Sequence, residues 1–193
     1  MKPPHKKEYR CELSNYRPVS LLTSFSKIFE MIMQGRILKH ITIYIILSTE
    51  QYGFILGLMT DNATYKLTTE ILNAITNKLL VRGIICDLDK AFDCVNHDSL
   101  LHKLEFYGIS DKALPLYESY LGNRYCRTAI YNGNENSNKV SDWAKVRHGV
   151  SQGSILGPLL FLLYINDLPK IINKTSAPIY ADKNSASGNY FTR

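Results

Sequence analysis

One segment constrains the fold more than any other part of the chain. In residues 81–93, an apolar run over residues 84–86 ends at Asp87, and Asp89 and Asp93 follow within one short turn. Such a run is typical of a buried strand that ends at a site. A carboxylate at the end of a buried strand is costly unless its charge is compensated. A divalent cation is a common compensator for several neighbouring acids.

The same acids also fit a purely structural interpretation, in which Asp87 caps the following turn and Asp89 and Asp93 are solvated. A second acid that could reach the same ion favours the metal site. Residues 177–182 supply one, because this second strand-like run ends at Asp182. Two strands that end at acids can share an ion, so Asp87 and Asp182 are the candidate metal ligands.

Length and composition indicate a globular protein. The 193 residues are enough for one sizeable core, or for one domain with an appended lobe. A hydrophobic fraction of 45% with mixed charges argues against disorder. The formal net charge of +6 favours polyanionic partners, although many basic proteins bind none.

The cysteines and the apolar runs indicate an intracellular protein. The cysteines stand at irregular spacings without a Cys-x-x-Cys pair, which argues against a zinc site or a disulfide framework. They are Cys11, Cys86, Cys94 and Cys126. The longest apolar runs, residues 41–47 and 159–165, fall short of the roughly 20 residues that a membrane-spanning helix needs. No signal-peptide pattern opens the chain.

Hydrophobic spacing predicts five helices, at residues 24–40, 60–78, 98–107, 111–121 and 154–166. Residues 41–47 fit either a strand or a continuation of the first helix. Ser24 or Ser26 is the expected cap of the first helix, and Asp98 or Ser99 that of the third.

The apolar positions also predict which side of the first two helices faces the core. In the first helix they are Ile28, Phe29, Ile32, Ile37 and Leu38. In the second they are Ala63, Leu67, Ile71, Leu72 and Ile75.

A β-hairpin and a glycine-containing loop are expected before the last helix. Residues 124–131 and 140–147 should pair, because Asn132-Gly133 favours a turn, although the connection is longer than a tight two-residue turn. Residues 149–153 follow as a loop whose glycines allow another backbone to approach closely.

Several of these segments resemble one known family in the order in which that family carries them. Residues 85–97, 148–158 and 164–169 resemble the palm signatures of reverse transcriptases from non-LTR (LINE-like) retrotransposons, and residues 15–22 and 50–54 resemble the fingers region. The matches extend over about residues 14–183. Several long motifs in one order are far more specific than any single motif.

The resemblance implies an α+β fold with the fingers and palm of a right-handed polymerase, the palm being an RRM-like sheet with covering helices. Residues 14–80 would be fingers and residues 81–184 palm, after a flexible basic lead-in over residues 1–13. Residues 185–193 would be a truncated tail, with a weak or absent return strand and no thumb. An intracellular location, nuclear where genomic DNA is the target, would follow.

The resemblance also implies the chemistry of the site. Asp87 and Asp182, helped by the carbonyl of Leu88, would hold Mg²⁺, or Mn²⁺ in its place, in two-metal nucleotidyl transfer. Phe92 would wall the sugar site, and Gln152 with Gly153 would lie near the incoming nucleotide. The partners would be an RNA template, a DNA primer and deoxynucleoside triphosphates. Asp93 is expected to be structural.

Three positions depart from the family pattern. Lys183 stands where a second aspartate normally follows Asp182, and an ammonium group beside a dication site lowers metal affinity. Ile55 replaces a basic residue of the fingers, and Ser151 stands where proline is frequent. We therefore expect a mutated and truncated copy with weak or no catalysis.

Three functions fit these observations. The first is an RNA-directed DNA polymerase domain, and the second is a non-catalytic nucleic-acid-binding remnant of one. The third is a Mg²⁺-dependent phosphohydrolase, because Asp87-Leu-Asp89 after a buried strand superficially resembles a haloacid-dehalogenase nucleophile motif. The third is disfavoured, since Ala91-Phe92 follow where that motif has a small hydroxylated or β-branched residue.

Overall fold

The structure is a computed structural model, and it describes most of the chain. The described residues are Tyr16, 19–55, Gly57, 60–82, 84–86, Leu88, 90–130, 139–171, 179–181 and 188–192. They form six helices: α1 (Ser24–Ile43), α2 (Thr60–Thr76), α3 (His97–Phe106), α4 (Ala113–Leu121), α5 (Gly157–Ile165) and α6 (Leu168–Ile171). They also form seven short strands: β1 (Ile84–Cys86), β2 (Tyr125–Cys126), β3 (Ala129–Ile130), β4 (Lys139–Val140), β5 (Ala144–Lys145), β6 (Ile179–Ala181) and β7 (Gly188–Thr192). This mixture of helices and small sheets agrees with the α+β prediction.

The core is built around α5, which is apolar on all sides. Seven of its nine residues are buried, from Gly157 to Ile165. Helix α5 packs on α3, and α3 in turn packs on α4. Burying a leucine side chain is worth about 1.5–3 kcal/mol, so Leu160, Leu162 and Leu163 anchor this cluster. The predicted helix at residues 154–166 is confirmed, with its start at Gly157.

Helix α1 buries a different side from the predicted one. Its buried residues are Glu30, Met33, Ile37 and Ile41. Of the predicted positions Ile37 is buried, whereas Ile28, Phe29, Ile32 and Leu38 are exposed. Because apolar residues are spread over several sides of this helix, its sequence does not select one face. The helix also continues to Ile43, so residues 41–43 of the ambiguous segment are helical, whereas residues 44–47 form neither helix nor strand.

The second helix shows the same kind of error. In α2 the buried positions are Ala63 and Ala74, while Leu72 and Ile75 are more than half exposed. Small alanines allow close packing, so the larger apolar residues are left on the other side. The predicted helix itself is confirmed, and of its predicted core positions Ala63 is buried, whereas Ile71, Leu72 and Ile75 are exposed.

The helix caps also differ from the prediction. Thr23 caps α1 by accepting a hydrogen bond from the backbone N–H of Ser26. Asn96 caps α3 in the same way, with Ser99 as donor. In both helices the capping residue precedes the candidates chosen from the sequence by one to three positions. An N-cap side chain reaches forward into the first turn, so the cap lies just before the helix.

The predicted hairpin is confirmed as a two-part antiparallel ribbon. Strand β2 pairs with β5, and β3 pairs with β4. The connection, residues 131–138, lies outside the described residues.

No helix in the described ranges is long and apolar enough to cross a membrane. Cys94 and Cys126 are free thiols.

A return strand is present, contrary to the prediction. Strand β7 forms the centre of a three-stranded sheet with the order β1-β7-β6. It pairs antiparallel with both neighbours. The sequence of this segment lacks alternation, but a central strand is held on both edges by backbone hydrogen bonds that need no alternation.

Candidate functional site

The strands β1 and β6 end at the same edge of one sheet. Both run antiparallel to β7, so they are parallel to each other on either side of it. Cys86 and Ile179 are both partners of Tyr190, so the two strands are level at that point. Strand β6 then continues for two residues, to Ala181. The two strands therefore end at one edge of the sheet, two residues apart.

The acids predicted to be catalytic follow those strand ends directly. Asp87 comes after Cys86, and Asp182 comes after Ala181. Asp87, Asp182 and Lys183 lie outside the described residues, as does Asp89. Among the described ranges, no group of three or more histidines, cysteines or acids could hold a metal ion.

The turn after β1 docks on the loop at residues 149–153. The N–H of Val150 donates to the carbonyl of Phe92 at 2.8 Å, and the N–H of Gly149 donates to the carbonyl of Val95 at 2.7 Å. The His97 ring N–H, on Nε2, donates to the Gly149 carbonyl at 2.8 Å. Gly149 has a φ of +86° and approaches the backbone of Asp93 closely. This loop and turn form one unit.

Phe92 lies inside this unit. Its side chain is buried between Phe161, at 4.9 Å between ring centroids, and Phe54, at 6.1 Å. Leu88 is partly exposed. The same aromatic cluster explains how Ile55 is accommodated where the family has a basic residue, because Ile55 packs against the core beside Phe54.

Gln152 and Gly153 are placed at the outer end of the loop. The side-chain amide nitrogen of Gln152 lies 3.5 Å from both carboxylate oxygens of Asp93. The backbone carbonyl of Gln152 accepts a hydrogen bond from the N–H of Ser20. Gly153 has a φ of +92° beside the backbone of Ser20. The structure thus brings Gln152 to the turn that follows Asp87 in sequence.

Sequence reasoning missed a buried carboxylate that supports this loop. Glu30 is 1% exposed. It accepts hydrogen bonds from the Tyr120 hydroxyl and from the N–H of Ile155, both at 2.7 Å. Gln34 donates to the Ile155 carbonyl, so α1 holds both backbone polar groups of Ile155. The available signal was a single acid between apolar neighbours in α1.

Arg124 holds the same loop from the other side. Its guanidinium donates to the Gly149 carbonyl at 2.9 Å and to the Ser151 hydroxyl at 2.8 Å, and it lies over the Tyr120 ring. Burial lowers the pKa of Arg124, but arginine stays charged at neutral pH. Burial and the hydrogen bond to Glu30 raise the pKa of Tyr120. The Ser151 hydroxyl therefore ties this position of the loop to Arg124.

We expect Glu30→Ala to lower the free energy of unfolding by about 2–4 kcal/mol, because two buried donors lose their acceptor. Urea unfolding followed by circular dichroism measures the change. Glu105→Ala, an exposed acid of α3, is the control and should stay within about 0.5 kcal/mol of the parent. In a Tyr120→Phe background the cost of Glu30→Ala should shrink. Equal losses for Glu30→Ala and Glu105→Ala would contradict the network.

Comparison with known proteins gives one consistent family. The sequence profile described as "Reverse transcriptase (RNA-dependent DNA polymerase)" matches residues 4–184. The chain is 35% identical over 161 residues to "Probable RNA-directed DNA polymerase from transposon BS" of Drosophila melanogaster, which covers 80% of this chain and 16% of the relative.

Two further relatives give the same result. "Probable RNA-directed DNA polymerase from transposon X-element" of Drosophila melanogaster is 32% identical over 180 residues, covering 89% of the chain and 18% of the relative. "RNA-directed DNA polymerase from mobile element jockey" of the same species is 30% identical over 158 residues, covering 82% and 16%. The chain thus spans less than a fifth of the length of these curated relatives.

Proposed function

This chain belongs to the reverse transcriptase family, in its non-LTR, LINE-like branch, and on that premise we propose that it forms the nucleotidyl-transfer site of an RNA-directed DNA polymerase. In this proposal residues 81–184 are palm and residues 14–80 are fingers. Its substrates are an RNA template, a DNA primer and deoxynucleoside triphosphates.

One observation carries the proposal. Strands β1 and β6 end at one edge of the sheet, and in the sequence Asp87 directly follows β1 and Asp182 directly follows β6. Beside β1, the turn at Phe92 is fixed to the loop that carries Gln152. A polymerase needs a carboxylate pair and a nucleotide-contacting loop next to each other, and this topology favours that arrangement.

The residues at this edge fit a divalent cation. Asp87, Asp182 and the carbonyl of Leu88 offer oxygen ligands, which Mg²⁺ and Mn²⁺ prefer. When bound, such ions stabilise the attacking and leaving oxygens of a phosphoryl displacement. In the proposal the chain itself orients the substrates.

The proposal also gives roles to Phe92 and Gln152. Phe92 is proposed to wall the sugar site through the small part of the residue that stays accessible, and its contact with Phe161 keeps that wall rigid. Gln152, with Gly153, is proposed to contact the incoming nucleotide. Asp93 then keeps a structural role, beside the Gln152 amide.

A second candidate is a domain that binds nucleic acid without catalysis. The observation that favours it is a group of exposed cations on the ribbon that β2 to β5 form. These cations are Arg127, Lys145 and Arg147. The binding would weaken steeply with salt, because phosphate contacts release counterions. The phosphohydrolase alternative gives way to the family match over residues 4–184.

Primer extension on poly(rA)/oligo(dT) tests the proposal, first with Mg²⁺ and then with Mn²⁺. We expect slow extension by the unmodified chain, and a loss of about 10²–10³-fold in Asp87→Ala, the typical cost of removing one electrostatic group from an active site. Circular dichroism and thermal melting of each sample come first, since an unfolded chain would be silent for trivial reasons.

The matched control is Asp98→Ala, an exposed acid in the first turn of α3. It removes the same group away from the sheet edge and should leave extension within about twofold of the parent. Extension that survives Asp87→Ala would refute the catalytic assignment. Salt-sensitive binding to the template–primer by a folded chain that does not extend it would favour the second candidate.

A further inference from the structure

The β2–β5 ribbon carries aromatic rings and cations together on its outer face. Tyr125 and Lys145 are direct cross-strand partners. Arg127 directly follows β2 and Trp143 directly precedes β5, and the Arg127 guanidinium lies 4.7 Å from the centre of the Trp143 ring. The N–H of Val146 donates to the carbonyl of Arg124, so the pairing extends past β5, and side-chain alternation then puts Arg147 on the same face as Lys145. We call these five residues the ribbon face.

The ribbon face is open to solvent. Tyr125 is 59% exposed and Trp143 is 62% exposed. Arg127, Lys145 and Arg147 are exposed as well. Two large rings that lie exposed on a hairpin gain free energy when another surface covers them, and a flat ring can do so by stacking. The opposite face is used differently, because there Arg124 turns inward to the loop at Gly149 and Ser151.

The charge of this segment selects the partner. The described part of the ribbon, residues 123–130 and 139–148, contains Arg124, Arg127, Lys139, Lys145 and Arg147 against the single acid Asp142. Protein-binding surfaces are depleted of lysine at their centre. Unpaired nucleic acid instead needs cations for its phosphates and exposed rings on which its bases stack. Paired bases in a duplex could not reach the rings.

We propose that the ribbon face binds an unpaired polynucleotide strand, with bases stacked on Tyr125 and Trp143 and phosphates held by Arg127, Lys145 and Arg147. The partner class rests on the proposed polymerase function, whereas the surface rests on the ribbon alone. Arg124, on the opposite face, joins the ribbon to the loop that carries Gln152 through the Gly149 carbonyl.

The chain carries its own probe, because Trp143 is its one tryptophan. Titration with single-stranded poly(rU), without metal or nucleotides, should quench the tryptophan emission through base stacking. Fluorescence anisotropy of a labelled oligo(rU) measures affinity independently. Trp143→Ala, Tyr125→Ala and Lys145→Glu should each weaken binding by about 5- to 100-fold. Trp143→Phe keeps a ring and should retain most of the affinity while removing the signal.

The controls are an exposed ring and an exposed cation elsewhere. Phe106→Ala in α3 and Lys112→Glu before α4 remove the same kinds of group and should change the affinity less than about threefold. A duplex of poly(rA) and poly(rU) should quench far less than the single strand. Single-stranded DNA of the same length shows whether the strand must be RNA.

The outcomes separate this inference from the polymerase proposal. Quenching that the ribbon variants weaken supports the ribbon face, whether or not the chain extends a primer. Affinity that is the same in the ribbon variants, with no quenching, overturns it, even if primer extension succeeds. Absence of any binding by a folded chain overturns it as well, and a protein partner would then be the class to test on this surface.

Discussion

Gly149→Ala is expected to destabilise the protein by about 2–5 kcal/mol and to displace the Gln152 loop. The residue has a φ of +86°, and a left-handed conformation costs an L-residue about 1–2 kcal/mol. An added Cβ would also lie 2.9 Å from the Cα and carbonyl oxygen of Asp93. Overpacking of this kind costs about 1–3 kcal/mol, and here it is the backbone that would have to move. Urea unfolding followed by circular dichroism gives the change.

Two other glycines separate the conformational cost of Gly149→Ala from its overpacking cost. Gly108 has a φ of +83°, but its added Cβ would meet only the His40 ring at 3.5 Å, an ordinary contact. Gly108→Ala should therefore show the conformational cost alone. Gly35 lies inside α1 with open space around it, so Gly35→Ala should stabilise by about 0.5–1 kcal/mol. If Gly149→Ala costs no more than Gly108→Ala, the docking of this loop on the Asp93 turn is wrong.

Helix α1 shows that hydrophobic spacing can predict a helix without predicting which of its sides is buried. The spacing predicted the helix, because it depends on local propensity. It could not predict the buried side, since Phe29 and Ile32 are as apolar as Met33 and Ile37. The buried side carries Glu30, whose burial is accommodated because Tyr120 and Ile155 supply donors from distant parts of the chain. A long-range hydrogen bond has no local sequence signal.

In the sheet, the sequence predicted the two outer strands but not the strand between them. The strand-like runs before Asp87 and Asp182 predicted two strands that end at one site, and β1 and β6 are placed accordingly. The return strand β7 was missed because residues 188–192 lack alternation. A strand between two neighbours is specified by their backbones as much as by its own side chains. The roles of the acids themselves stay predictions.

The support of the Gln152 loop was also beyond sequence reasoning. Arg124 appeared only as the first residue of a hairpin, and Ser151 only as a departure from proline. The structure joins them at 2.8 Å, and a second guanidinium nitrogen donates to the Gly149 carbonyl. The loop is thus held by α1 through Ile155, by the ribbon through Arg124 and by the turn through Val150. A loop that three elements hold is well suited to present a glutamine in a fixed position.

Lys183→Asp is expected to raise the rate of Mg²⁺-dependent primer extension by about a hundredfold. Two like charges about 4 Å apart repel by roughly 4 kcal/mol at an effective dielectric of 20, and a flexible lysine that swings away relieves part of that. A gain of two orders of magnitude corresponds to about 2.7 kcal/mol in the barrier. The substitution also restores the second aspartate of the family motif after Asp182. Extension of poly(rA)/oligo(dT) at several Mg²⁺ concentrations measures the effect.

Three variants identify the cause of the gain. Lys183→Ala removes only the positive charge, so it should recover most of the gain if repulsion is the defect and little of it if a second carboxylate is needed. Lys170→Asp makes the same change of net charge in the exposed α6 segment and should leave the rate near that of the parent. Lys183→Asp combined with Asp87→Ala should be silent, because the other ligand is then missing. A folded Lys183→Asp chain that extends the primer no faster than the parent would show that Lys183 does not limit catalysis.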